Sequence, residues 1–142
     1  MLKLSVQSRL QDIGLAGVLT RAIGAESGLT EAAGADVELA VVEALTNIVQ
    51  HGGLGSEGFI DIAYEAGPGC LIVEIADSGT EIPAELLSPT NTVLPDFSDF
   101  DVMSLPERGM GLPLIRLTMD EVAYESVGGR NILRLVKRYG AA

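Results

Sequence analysis

Two glycine-centred reversals, each set between short apolar runs, limit what this chain can fold into more than any other feature. Residues 59–65 and 71–76 are rich in β-branched and aromatic side chains and stand either side of Gly67-Pro68-Gly69. The pattern returns later, where residues 121–127 and 132–136 flank Gly128-Gly129. Such side chains pack well on a pleated surface, and glycine supplies the backbone angles of a tight turn. Each set predicts a hairpin.

The remaining periodic stretches read as follows. Residues 2–6 alternate apolar with polar and predict a short strand. Ser8, with Gln11 three residues on, resembles a capping box opening a helix through about Ile23. Residues 24–34 read as a glycine-spaced connector, and a second helix is expected over 35–51, stopped by Gly52-Gly53. A short helix is expected over 112–119, with Pro113 in its first turn, where a missing N–H costs little. Residues 80–107 carry Pro83, Pro89, Pro95 and Pro106 and no period. A loop that long inside a compact domain is usually a functional lid or a disordered insertion, and its position between two candidate nucleotide motifs favours the lid.

A chain of 142 residues predicts one domain, spanning 1–142, with a core large enough to carry a ligand cleft. Hydrophobic content of 47% with 17 glycines suits a compact α/β protein and argues against disorder. The formal net charge of −11 argues against direct nucleic-acid binding, which needs clustered Lys and Arg. The one cysteine, Cys70, has no internal partner and is expected as a buried thiol. No secretory signal and no apolar window long enough to span a membrane is visible, so a cytoplasmic location without membrane association is expected.

Three polar islands interrupt this apolar background. In the first, Glu43, Thr46, Asn47, Gln50 and His51 fall at i, i+3, i+4, i+7 and i+8, one stripe of a helix. Val37, Val41, Val42, Ala44, Leu45, Ile48 and Val49 take the opposite face. An ordinary solvated stripe usually holds Lys, Arg and Glu. This one adds amide, hydroxyl and imidazole groups to Glu43. Thr46, Asn47 and His51 are poor helix formers that suit a ligand better, although the spacing alone equally fits an ordinary amphipathic helix. The second island, Asp77-Ser78-Gly79, ends an apolar strand. A carboxylate there can accept from an exocyclic amine such as that of adenine, and it is equally a common turn residue. The third, Arg108-Gly109-Met110-Gly111, opens a helix, where glycines and the helix dipole favour phosphate.

From residue 22 to residue 107 there is no Lys or Arg. Arg108 is therefore the one permanent cation among the islands, too little for a triphosphate. A nucleotide bound here would need a divalent metal, and an amide oxygen such as that of Asn47 with phosphate oxygens and water would suit Mg²⁺.

The order Glu-x-x-x-Asn-x-x-x-His, Asp-x-Gly, a long lid, then Arg-Gly-x-Gly-Leu resembles the nucleotide pocket of the GHKL ATPases. Across residues 38–137, including the run Leu114-Ile115-Arg116-Leu117-Thr118-Met119-Asp120-Glu121-Val122, the chain is similar to the anti-sigma serine kinases of that superfamily. The resemblance implies an α+β, two-layer fold with a mixed, mostly antiparallel sheet, helices on one face, and an ATP lid near 80–107. It implies Glu43 as general base, Asn47 as Mg²⁺ ligand and Asp77 as adenine reader. The implied ATP/ADP-binding set is Asn47, His51, Asp77, Gly79, Arg108, Gly109, Met110, Gly111 and Leu112. The implied partners are a sigma factor and an antagonist protein phosphorylated on serine, with a homodimer usual in the branch. A stressosome-type switch kinase that activates a phosphatase, and a non-catalytic ATP-gated binding module, are the alternatives. The family often has Thr after paired glycines where this chain has Gly128-Gly129-Arg130-Asn131. Asn131 can replace that hydroxyl as a hydrogen-bonding group, which leaves open what this strand contacts.

Overall fold

The computed structural model describes residues 1–55, 57–82 and 111–139. Among these residues five strands, β1 (Leu2–Gln7), β2 (Phe59–Gly67), β3 (Cys70–Asp77), β4 (Glu121–Val127) and β5 (Arg130–Arg138), form one sheet in the order β1-β2-β3-β5-β4. All four pairings are antiparallel. Both predicted hairpins are present, turned at Gly69 (φ 77°) and at Gly128 and Gly129 (φ 62° and 79°). Among the described residues the sheet carries three helices, α1 (Leu10–Ser27), α2 (Glu31–His51) and α3 (Gly111–Thr118).

Alternation sorts the two faces of the sheet. Ile60, Ile62 and Tyr64 of β2, Leu71, Val73 and Ile75 of β3, and Leu133 and Leu135 of β5 are buried in one cluster with Val37, Val41, Ala44 and Leu45 of α2. The other face mixes charged residues with Ile72, Ile132 and Val136. There Arg134 pairs with Glu74 at 3.7 Å, and Arg130 with Asp61 at 2.6 Å. An antiparallel sheet with one packed and one solvated face suits helices on a single side. The helix layer is tied to the sheet by a buried pair: the Tyr64 hydroxyl meets Thr20 Oγ1 at 2.6 Å, while Thr20 donates to Ala16 O. Burial, offset in part by that bond, raises the Tyr64 hydroxyl above its ordinary value.

The predicted connector over 24–34 is mostly helix, broken only over 28–30. α1 runs on to Ser27 and closes on Gly28, whose φ of 110° suits glycine. α2 starts at Glu31 because Thr30 Oγ1 accepts from the Ala33 N–H. Gly24 and Gly34 mark close packing instead of a break: an added Cβ would stand 3.1 Å from Leu29 Cδ1 and 3.3 Å from Arg21 Nε, respectively. The capping box is not formed either. Arg9 holds the N-cap position of α1 without a side-chain cap, and Asp12 accepts from the Gln7 N–H instead. Cys70 is half-buried at the head of β3, not a core thiol.

Candidate functional site

The site is built where α2 ends against the ends of β3 and β5. α2 stops at His51, with Gly52 as C-cap and Gly53 at φ 69°. Gly52 O then accepts from the Thr80 N–H at 2.8 Å, fastening the end of the helix to the segment leaving β3. This close approach requires glycine at position 79. A Cβ there would lie 2.3 Å from Gly52 O and 3.1 Å from Asp77 Oδ1.

Asp77 ends β3 and is 6% exposed. Its Oδ1 accepts from the Gly79 N–H at 2.8 Å and from Asn131 Nδ2 at 3.1 Å. Asn131, 2% exposed, sits directly opposite Asp77 in the β3–β5 register. Its Nδ2 also donates to Gly79 O at 2.9 Å, and its Oδ1 accepts from Ser126 Oγ at 2.7 Å. Both acceptors facing Nδ2 lack protons, which fixes the orientation of the amide. Tyr124 of β4 adds a further strap, its hydroxyl accepting from the Ile82 N–H at 2.8 Å. Burial raises the Tyr124 hydroxyl above its ordinary value; the Ile82 bond opposes this, and the charges of Asp77 and Glu81 add to it.

On α2, Glu43 and Asn47 are half-buried, and neither makes a hydrogen bond or ion pair with a described residue. They are one helical turn apart and share a face. His51 follows one turn later, and its Nε2 is buried without a partner among the described residues. An orphaned buried donor or acceptor is costly and suits a ligand group. Thr46 does not join this set, since its hydroxyl donates back to Val42 O at 2.7 Å. Arg108, Gly109 and Met110, with the lid expected over 83–107, lie outside the described residues. Gly111 is placed as the first residue of α3, and Leu112 as the second. Oxygen donors, the Asn47 amide and the Glu43 carboxylate, suit Mg²⁺ held mainly by phosphate and water. Among the described residues no cluster of three or more His, Cys, Asp or Glu could hold a metal unaided.

The family model described as histidine kinase-like ATPase domain matches residues 6–137. The chain belongs to that family. The serine-protein kinase RsbW of Bacillus mycoides is 34% identical over 98 residues, 69% of this chain and 60% of its own length. The chain thus spans about 60% of the length of the curated relatives it matches. The RsbU and RsbW domains of Rv1364c from Mycobacterium tuberculosis superpose with a TM-score of 0.63 at 17% identity, covering 97% of this chain and 32% of that one. The histidine kinase domain of a blue-light activated kinase from Erythrobacter litoralis gives 0.56 at 15% identity, over 94% and 61%. At these identities the likeness concerns the fold, an ATPase-type α+β sandwich.

The sequence pattern points to Glu43, Asn47, His51 and Asp77 as candidates, and gives no signal for Ser126, Tyr124 and Thr80, which the fold brings beside Asp77 and Asn131. Only the placement of Asn131 after a glycine doublet hinted that β5 brings a polar group inward.

Proposed function

We propose that the protein is an ATP-dependent serine-protein kinase that acts as an anti-sigma factor, binding a sigma factor and phosphorylating an antagonist protein on serine. The observation that carries this reading is the pairing of Glu43 and Asn47, both without described partners, on a helix whose end is hydrogen-bonded to the Asp77–Thr80 segment. A carboxylate and an amide on that helix, with the Asp77 carboxylate on the segment fastened near its end, support a nucleotide site. The RsbW relatives support the reaction class.

In this reading Asp77 accepts from the exocyclic amine of adenine, and Gly79 lets the chain pass close to the base. Asn47 offers its amide oxygen to Mg²⁺. The bound metal supplies charge neutralisation for the phosphates in a chain with no Lys or Arg from 22 to 107. Glu43, one turn from Asn47, accepts the proton of the incoming serine hydroxyl.

A homodimer fits the β1 edge of the sheet. β1 is an edge strand, and Leu2, Leu10, Leu15, Val18 and Phe59 are exposed there with a shallow groove between β1 and α1. Light scattering on the purified chain tests it, and a monomer at high concentration refutes it. Among the described residues no helix is long and apolar enough to cross a membrane.

The deciding experiment replaces Glu43 with Gln. Mg·ATP binding and any sigma-factor complex should survive, while phosphorylation of the antagonist, captured from the cell of origin, should fall by about 10²–10⁴-fold. A variant that phosphorylates at near wild-type rate removes Glu43 as the base. Wild-type protein that binds ATP and sigma factor but transfers no phosphate leaves an ATP-gated binding module. Transfer without sigma binding favours the stressosome-type switch.

A further inference from the structure

Glu43 is the one charge on the outermost stripe of α2. That stripe, Ala32, Ala35, Leu39, Glu43, Thr46 and Gln50, recurs at helical spacing and faces away from the buried Val37, Val41 and Leu45. A helix face left to water usually carries several charges. The other three acids of α2 lie beside the stripe, and each is matched within the chain. Arg21 pairs with Glu38 at 3.5 Å and with Glu31 at 3.9 Å, and Lys137 pairs with Asp36 at 3.0 Å. Glu43 alone has no partner among the described residues. In a chain of net charge −11, this surface is nearly neutral around a single free carboxylate.

Leu39 is the apolar centre of that surface, 41% exposed and one turn before Glu43. α3 supplies a second apolar group. Leu117 is 69% exposed, on the side of α3 opposite the buried Ile115 and Met119. Lys137 ties the two helices, its ammonium donating to Asp36 Oδ2 of α2 and to Thr118 O at the end of α3. Asp36 is one turn from Leu39, and Thr118 is next to Leu117. The two leucines therefore sit at the tied ends of adjoining helices.

We propose that Leu39 and Leu117 form the docking contact for the protein that receives the phosphate, and so determine which serine reaches Glu43. The proposal rests on the kinase reading given above and names the chemistry of its substrate. A hydroxyl brought to Glu43 arrives over the solvent side of α2, because the opposite side is packed on the sheet. Side chains one turn apart stand about 6 Å from each other. The substrate therefore presents an apolar side chain at about that distance from its serine, two residues along a strand or one turn along a helix. With Glu31, Asp36 and Glu38 already matched, the stripe offers a basic partner nothing but Glu43, and the grip is apolar.

The test first identifies the substrate by its chemistry. The whole chain and γ-labelled Mg·ATP are added to an extract of the cell of origin, and the protein that takes up label on serine is purified as the probe. Leu39→Gln and Leu117→Gln should each raise KM for that protein about 10-fold or more. Their kcat should stay within about threefold of wild type, and Mg·ADP affinity within about twofold, a split that general damage to the fold would not give. Both positions are exposed, so these variants keep the fold. Leu39→Met should hold KM within about threefold. Val127→Gln, 67% exposed at the end of β4, is the control and should change nothing. KM should also vary less than about threefold between low and high salt, where a charged grip would weaken about 10-fold or more. Folded Gln variants with unchanged KM overturn the proposal, as does a KM that climbs steeply with salt. So does a Leu39→Gln protein that loses a dimer in light scattering, since the patch then belongs to a second copy. Wild-type protein that labels nothing refutes the kinase reading itself, a separate result from labelling that survives both substitutions.

Discussion

Replacing Gly79 with Ala is the most stringent check on how the site is assembled. The new methyl would stand 2.3 Å from Gly52 O and 3.0 Å from its carbonyl carbon, both backbone atoms that cannot rotate away. Restoring ordinary contact means moving the carbonyl oxygen by roughly 1 Å, enough to break its 2.8 Å bond from the Thr80 N–H. The lost bond costs about 1 kcal/mol. Overpacking beside it adds about 1–3 kcal/mol. The sum, about 2–4 kcal/mol, lowers the melting temperature of a domain this size by roughly 6–15 °C. Circular dichroism on heating measures this. Gly14 is the control, because it is exposed in α1 and nothing lies within 4 Å of its added Cβ. Gly14→Ala should raise stability by about 0.5–1 kcal/mol through helix propensity. A Gly79→Ala protein melting within about 2 °C of wild type would refute the contact between α2 and the end of β3.

Nucleotide binding should require Mg²⁺, and excess chelator in a calorimeter should abolish it; undiminished affinity would remove the metal role of Asn47. Asn47→Ala should weaken Mg·ADP binding more than Glu43→Ala does, and the reverse order would exchange their roles. Stability should fall in alkali. The folded state raises the Tyr64 hydroxyl above its ordinary 10.0, so its contribution is complete below that pH and is lost as pH rises through the higher folded value. Urea melts at pH 8 and above pH 10 should show a shallower alkaline loss for Tyr64→Phe than for wild type, and equal slopes would assign the loss to other groups.

The hairpins were legible because each announces itself locally, with glycines at positive φ between β-branched runs. The α2 stripe was legible for the same reason, since a helix brings i and i+4 together from spacing alone. Misreading began where glycine serves packing instead of turning. Gly24 and Gly34 look like breaks in the sequence, yet the chain breaks at Gly28 and Thr30, where a left-handed residue meets a capping hydroxyl. The Asn131–Asp77 contact was not legible, because it depends on the register of two strands with a helix and a third strand between them in sequence. No local signal specifies that. Thr46 shows the converse limit: its place on the stripe was correct, but its hydroxyl turns back to its own helix.

The strand order also sets a schedule. β3 is finished at Asp77, but the strand that completes it starts at Arg130 and enters between β3 and β4. Asp77 and Asn131 are 54 residues apart, and closing such a span carries an entropic cost that local hairpins avoid. During synthesis β3 therefore waits with one row of N–H and C=O groups unpaired, an edge able to recruit foreign strands. The Asp77 carboxylate waits with it, held on the Gly79 side alone. A growing chain can complete α2 early, yet the end of β3 at Asp77 is not fully assembled until the final hairpin has docked.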